Sequence, residues 1–447
     1  MITTFIIENW WSCLYVLSSS HAASLFISYF HTKKKRKKKK KTKIDPQSFH
    51  LIVIISSYSN TKRSFQDIYV SIYTLLGSVL LFIARKMGNK SFLPSFLVSF
   101  ALILSLKFAN AQMVPAIFVF GDSLVDVGNN NYLPVSVAKA DFPHNGIDFP
   151  TEKATGRFSN GKNAADFLAQ KVGLPTSPPY LSVSRKNTSS FMTGVSFASG
   201  GAGIFNGTDR TLGQAIPLSK QVGNYESVYG NLIQRLGLSG AQKRLSKSLF
   251  VIVIGSNDIF DYSGSSDLQK KSTPQQYVDS MVLTLKGLLK RLYTSGARKF
   301  VFAGIGPLGC IPSQRIKNHT DHGCNEGSNL MAVTYNKGLN SILQELKSTL
   351  NAISYSYFDT YALMHNIIQN PATYGFTEVE AACCGRGKLN AQIPCLPIAK
   401  YCSNRRDHVF WDLYHPTETT AGILVDAIFN GPLQYTFPMN VRQLVTV

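Results

Sequence analysis

From Pro115 onward, short apolar runs alternate with longer segments in which apolar residues recur every three or four positions. The runs at 116–120, 248–254, 299–303 and 353–358 are rich in Val, Ile and Phe. That composition predicts strands buried on both faces. Between them, 275–295 and 325–350 carry a helical period. In the first, Val278, Met281, Val282, Leu285, Leu288, Leu289 and Leu292 fall on one face. Residues 163–172, entered through Asn160-Gly161-Lys162, and residues 417–429 read as further helices with polar starts. Strands alternating with helices predict an α/β fold whose parallel sheet is covered on both faces. Patches rich in Gly, Ser and Asn at 129–131, 199–203 and 263–266 are loops. No repeat and no linker interrupts 112–447, which is therefore expected to be one domain.

The charge is spread unevenly. Residues 1–111 hold 16 Lys/Arg against 3 Asp/Glu, whereas 112–447 hold 30 against 22. Nine consecutive basic residues at 33–41 would suit nucleic acid. Such a run also repels itself and buries nothing, which is the signature of a disordered stretch. No reader module of the usual kinds follows it, so a nucleic-acid partner is not expected. Lys90, an apolar run at 92–106 and Ala109-Asn110-Ala111 have the anatomy of a secretory signal cleaved before Gln112, with Met87 placed as an initiator. The expected organisation is a non-native or disordered extension over 1–86, a signal peptide over 87–111 and a secreted, extracellular domain over 112–447. The alternative takes the seventeen mostly apolar residues at 68–84, flanked by Lys62, Arg63, Arg85 and Lys86, as a membrane anchor.

Cysteine usage agrees with secretion. Cys13 lies in the extension, and Cys310, Cys324, Cys383, Cys384, Cys395 and Cys402 form an even set suited to disulfides. Adjacent Cys383 and Cys384, without repeated C-x-x-C spacing, argue against zinc. Asn187, Asn206 and Asn318 head three glycosylation sequons.

The chemistry gathers at strand ends, where open α/β sheets bind ligands. The first strand runs into Gly121-Asp122-Ser123, and a serine hydroxyl there needs a base held by a third group. Asp412-Leu413-Tyr414-His415 supplies both types of residue near the other end of the chain. A second strand runs into Gly255-Ser256-Asn257-Asp258, and 194–203 is a glycine-rich turn. A glycine amide, an asparagine amide and the serine's own N–H are the fixed donors that stabilise negative charge on an acyl oxygen. Each piece also has an ordinary reading: Asn257 as a helix cap, the glycine-rich stretch as a plain turn, and Asp412 with His415 as a surface pair. The turn lacks both the P-loop pattern and G-x-G-x-x-G.

Taken together, these residues resemble one family. The block from Phe118 to Asn131, Phe158-Ser-Asn-Gly-Lys162, Phe197-Ala-Ser-Gly-Gly-Ala-Gly203, Gly255-Ser-Asn-Asp258, Gly306-Pro-Leu-Gly-Cys310 and Trp411-Asp-Leu-Tyr-His-Pro-Thr-Glu418 look like the plant GDSL esterase/lipase family of the SGNH hydrolase superfamily. The match spans about 113–435 in unbroken order and leaves 1–86 outside. It implies a three-layer, flavodoxin-like α/β/α sandwich with a central, mostly parallel sheet. It further implies Ser123 as nucleophile, His415 as base, Asp412 as its partner, and an oxyanion hole from Ser123, Gly201 and Asn257, with Gly200 the alternative to Gly201. Cys310 with Cys324 is the implied local disulfide, and no metal or organic cofactor is implied. Ser196 departs from the Asn that relatives often carry. The absence of G-x-S-x-G after a strand disfavours the α/β-hydrolase elbow. The implied activity is hydrolysis of lipid or other acyl esters through an acyl-enzyme, with transfer of the same acyl group to an alcohol as the alternative, and no obligate protein partner.

Overall fold

The computed structural model describes residues 112–183, 189–318 and 321–447, together with the backbone of two strands nearer the start of the chain. The chain divides into two units, Met1–Ser105 and Leu106–Val447. In the first, Ser24–Tyr29 pairs antiparallel with Leu51–Ser56. The basic run at 33–41, the apolar run at 68–84, the signal segment at 87–111, Cys13 and Asn187 lie outside the described residues.

The second unit is built on a five-stranded sheet. Strands β1 (Ile117–Gly121), β2 (Leu249–Val253), β3 (Lys299–Ala303) and β4 (Ser354–Phe358) run parallel in sequence order, and a short β5 (Thr436–Phe437) adds antiparallel to β4. Side chains alternate between the two faces. Phe118, Phe120, Phe250, Ile252, Phe300 and Phe302 enter one core with α2 (Leu218–Leu245), α3 (Ser256–Gly264), α4 (Pro274–Thr294) and α5 (Glu326–Thr349). Ile117, Val119, Leu249, Val251 and Val301 enter the other, with α1 (Ala164–Lys171), α6 (Thr360–Gln369) and α7 (Glu418–Asn430). Burial on both faces is why these strands read as near-continuous apolar runs. The result is three layers, helix on sheet on helix, with a mostly parallel sheet.

The helices start where polar side chains stop the preceding loops. Asn163 and Asp166 form a capping box at α1, and Thr273 with Gln276 forms another at α4, where Pro274 takes the first position. The expected helices and strands agree with these elements to within a residue or two. The longest helix, α2, escapes the sequence pattern; its path is broken at Gly237, whose φ is 70°.

All six domain cysteines are paired: Cys310 with Cys324, Cys383 with Cys402, and Cys384 with Cys395. Among the described residues, no helix is long and apolar enough to cross a membrane.

Candidate active site

Ser123 stands just past the end of β1, at the carboxyl edge of the sheet. Gly121 makes the turn possible: its φ is +154°, and a Cβ there would lie 2.2 Å from the Val253 carbonyl oxygen. The buried Gln221 of α2 straddles this turn. Its side chain accepts from the Gly121 N–H at 2.9 Å and donates to the Gly121 carbonyl at 2.8 Å and the Ile216 carbonyl at 2.7 Å.

His415 arrives from the other end of the chain. The strand His408–Phe410 lies parallel to Glu378–Ala382, and the chain then turns through Asp412. One Asp412 carboxylate oxygen accepts from the Tyr414 and His415 N–H groups, each at 2.9 Å, closing an Asx turn. The same carboxylate lies 2.8 and 2.9 Å from His415 Nδ1. On the far side of the ring, His415 Nε2 lies 2.7 Å from Ser123 Oγ. The Phe158 ring sits against the imidazole with centroids 5.0 Å apart. Burial works against charge on Asp412, but the imidazole and the two N–H donors outweigh it and hold the carboxyl below its usual range.

The glycine-rich turn lies beside Ser123 and is held by two buried carboxylates. Asp126 accepts from the N–H groups of Gly128 and Asn129, both at 2.8 Å, and from Gly200 at 3.0 Å. Asp258 accepts from Ile204 and Phe205 N–H at 2.9 and 3.1 Å and from the Thr208 hydroxyl at 2.7 Å. Burial pushes both carboxyls up to about 6 despite these donors. The side-chain amide of Asn129 donates to the Ser196 and Ala198 carbonyls at 2.9 and 2.8 Å. Ser196 itself uses its backbone here; its buried hydroxyl has no partner.

This bracing treats the two glycines differently. The Gly200 N–H is already given to Asp126, whereas the Gly201 N–H, like that of Ser123, is engaged by no other group among the described residues. Asn257 is not the cap of α3, which is Gly255. It sits one position inside the helix and donates one amide hydrogen to the Ala202 carbonyl at 2.9 Å, leaving its second uncommitted. Ser123, Asp412, His415, Gly201 and Asn257 are thus brought to one place. Asn206, by contrast, is an exposed surface residue whose side-chain oxygen accepts from Ser219, and Asn318 lies by the Cys310–Cys324 loop, so neither belongs to this site.

Sequence reasoning missed Gln221, which lies 100 residues from the turn it holds and has no local signature. Asp126, Asp258 and Phe158 were inside recognisable blocks, but nothing in those blocks separates a brace from a reactive group. The block at 158–162 also docks on the histidine segment: the Lys162 N–H donates to Glu418 at 3.1 Å, and the Glu418 N–H donates to Asn160 at 2.8 Å.

A mostly parallel sheet covered on both faces, with Ser123, His415 and Asp412 hydrogen-bonded in a row at its carboxyl edge, is an arrangement suited to hydroxyl chemistry on an acyl group. Comparison narrows the reading. The family described as GDSL-like lipase/acylhydrolase matches residues 117–428. A GDSL esterase/lipase of Arabidopsis thaliana is 52% identical over 373 residues, covering 80% of this chain and 99% of its own length. Another from the same plant is 38% identical over 324 residues, covering 72% of this chain and 90% of its own length. Among solved structures, a catalytic mutant of an acetylxylan esterase from Geobacillus stearothermophilus aligns with 70% of this chain and 90% of that one, at 13% identity and a TM-score of 0.31. The chain belongs to the GDSL esterase/lipase family and is a carboxylic ester hydrolase.

Proposed function

We propose that this hydrolase cleaves its ester through an acyl-enzyme on Ser123. The observation that carries the reading is the unbroken relay from Ser123 Oγ to His415 Nε2 at 2.7 Å and from His415 Nδ1 to Asp412 at 2.8 Å. His415 takes the serine proton as Oγ bonds to the ester carbonyl carbon, and Asp412 fixes the tautomer and steadies the imidazolium. The N–H groups of Ser123 and Gly201 and the free amide hydrogen of Asn257 donate to the tetrahedral oxyanion. His415 returns the proton to the departing alcohol. Water then repeats the sequence on the acyl-enzyme and releases the acid.

The working protein in this reading is residues 112–447, released by cleavage after Ala111 and secreted with its three disulfides and with glycans on Asn187, Asn206 and Asn318. The paired cysteines and the secretory anatomy of 87–111 support it. A fluorophosphonate should label the parent on Ser123 and leave Ser123→Ala unlabelled and inactive. Ester cleavage by a folded Ser123→Ala protein would remove the scheme. Adding an alcohol acceptor to the same assay separates hydrolysis from acyl transfer by product.

A further inference from the structure

An apolar cavity of about 90 Å³ lies on one face of the sheet, between β2 and β3 and the helices α1 and α7. Its mouth is built from the chain neighbours of the reacting groups: Leu124 follows Ser123, Pro416 follows His415, and Ser256 precedes Asn257. Phe158, whose ring rests on His415, completes the rim. From there the cavity runs inward toward Val251 and Val301, in the middle of their strands. Helix α7 follows the same course. It begins three residues after His415 and lines the cavity with Ala421 one turn in and Val425 and Ile428 deeper. Val253 and Ala303, at the carboxyl ends of their strands, are half-buried and also line this space.

Closely packed cores hold few voids larger than a water molecule. This one is apolar, and polar groups that would hold ordered water are scarce along it, the conditions under which a cavity stays dry and takes an apolar guest. Water's share of liquid volume is about 30 Å³, and a methylene is of similar size, so the space takes about three carbons in line. A carbonyl placed at Ser123 would direct those carbons inward past Leu124.

We propose that this cavity is the acyl pocket of the enzyme and gives it a preference for short, unbranched acyl groups of about four carbons, the carbonyl included. The proposal rests on Ser123 as the acylated residue and goes beyond it by naming the substrate class. Each methylene buried should raise kcat/KM by about fourfold. The deep residues of α7 set the length limit, and Ala421 sets the width near the mouth.

The test is a series of p-nitrophenyl esters of graded linear acyl length, with the parent, Ala421→Leu and Ile428→Ala, all as full disulfide-bonded protein. For the parent, kcat/KM should climb about fourfold per carbon from acetyl to butanoyl and fall for longer chains. Ala421→Leu fills the neck, so the ratio of butanoyl to acetyl ester kcat/KM should fall about tenfold. Ile428→Ala deepens the pocket and should move the optimum to a longer chain. If all three proteins share one profile while only their melting temperatures differ, the cavity is a packing void and the proposal falls. Equal or better cleavage of dodecanoyl than butanoyl ester by the parent would also overturn it. Fluorophosphonate labelling keeps the two readings apart: lost labelling of the parent strikes Ser123, whereas normal labelling with an unmoved chain-length profile strikes the pocket alone.

Discussion

Ser123 and His415 are 292 residues apart in the chain and meet at 2.7 Å, yet the two sides of that contact are held in place by different means. Around Ser123 the support is buried polar chemistry. Gln221 spans the Gly121 turn, while Asp126, Asn129 and Asp258 tie the glycine-rich turn to the strand ends through backbone donors and acceptors. Around His415 the support is covalent and aromatic. The N–H groups of Cys383 and Cys384 donate to the Phe410 and Trp411 carbonyls at 2.9 and 2.7 Å, and the Trp411 N–H donates to the His415 carbonyl at 2.8 Å. Trp411 is fully buried against three of the bonded cysteines, and its indole N–H donates to Asn145 at 3.0 Å. The serine side grows directly from the sheet and inherits its rigidity. The histidine side is a loop of short strands packed around a small cluster of Trp411 and bonded cysteines, where crosslinks add to the order that packing gives.

The largest effect should come from cutting the contact between the two sides. Ser123→Ala and His415→Ala should each lower kcat by about 10⁴-fold or more, and the double variant should be little worse, because the residues act as one unit. Steady-state kinetics on a soluble ester checks this. Additive losses would mean that the two sides do not work through each other.

Next in size is Asn257→Ala, which acts on the serine side alone. Loss of an oxyanion donor should lower kcat by roughly 10²–10³ with little change in KM. The bond to the Ala202 carbonyl also goes, so stability should fall by about 1 kcal/mol. Thermal melting beside saturation kinetics separates the two roles. A kcat that holds while the melting temperature drops would leave Asn257 as a brace like Asp258.

The four parallel strands, four of the helices and the family blocks were legible because each depends on local pattern: apolar runs, a 3.6-residue period, capping residues and a turn that needs glycine. Helix α2 was not, because its buried residues are interleaved with Gly223, Gly230, Gly237 and Gly240 and its period is weak. The split between Gly200 and Gly201 was likewise hidden. The proposed choice of Gly201 rests on which N–H Asp126 takes, and that acceptor lies 74 residues away. Of the disulfides, Cys310 with Cys324 followed from resemblance, while the pairing of Cys383 and Cys384 depends on how two neighbours face apart, which spacing does not encode.

The third effect sharpens the histidine side. Cys384→Ala with Cys395→Ala opens a crosslink between residues 11 apart and should cost about 2–4 kcal/mol. Hydrogen exchange should show the loss locally: amides of 411–415 should lose protection while those of β1 keep theirs. Equal loss on both sides would mean that the crosslinks stabilise the whole domain, and the contrast between polar and covalent support would fail.

The smallest effect probes the cost of the polar support. Asp122 is fully buried beside Ser123; one carboxylate oxygen accepts from the Leu124 N–H at 3.0 Å and the other has no partner. Burial pushes this carboxyl up to about 7, against the Leu124 donor and the nearby His415, which both pull it down. In the unfolded chain an aspartate titrates near about 3.9. Between about pH 4 and 7 the folded protein therefore holds a proton that the unfolded chain has shed, and stability falls as pH rises through that window. Asp412 works the other way: its lowered value adds stability that is present above the unfolded value and lost only in acid. Asp122→Asn copies the protonated form and removes the first dependence alone. Its stability relative to the parent should be nearly level at about pH 4 and should grow to about 1–3 kcal/mol at about pH 8. A tenfold difference in proton affinity between folded and unfolded chain is worth about 1.4 kcal/mol. Denaturant melts at graded pH measure the gap. A gap that stays constant with pH would mean that Asp122 is charged throughout, and that the serine side holds its buried polar groups without this cost.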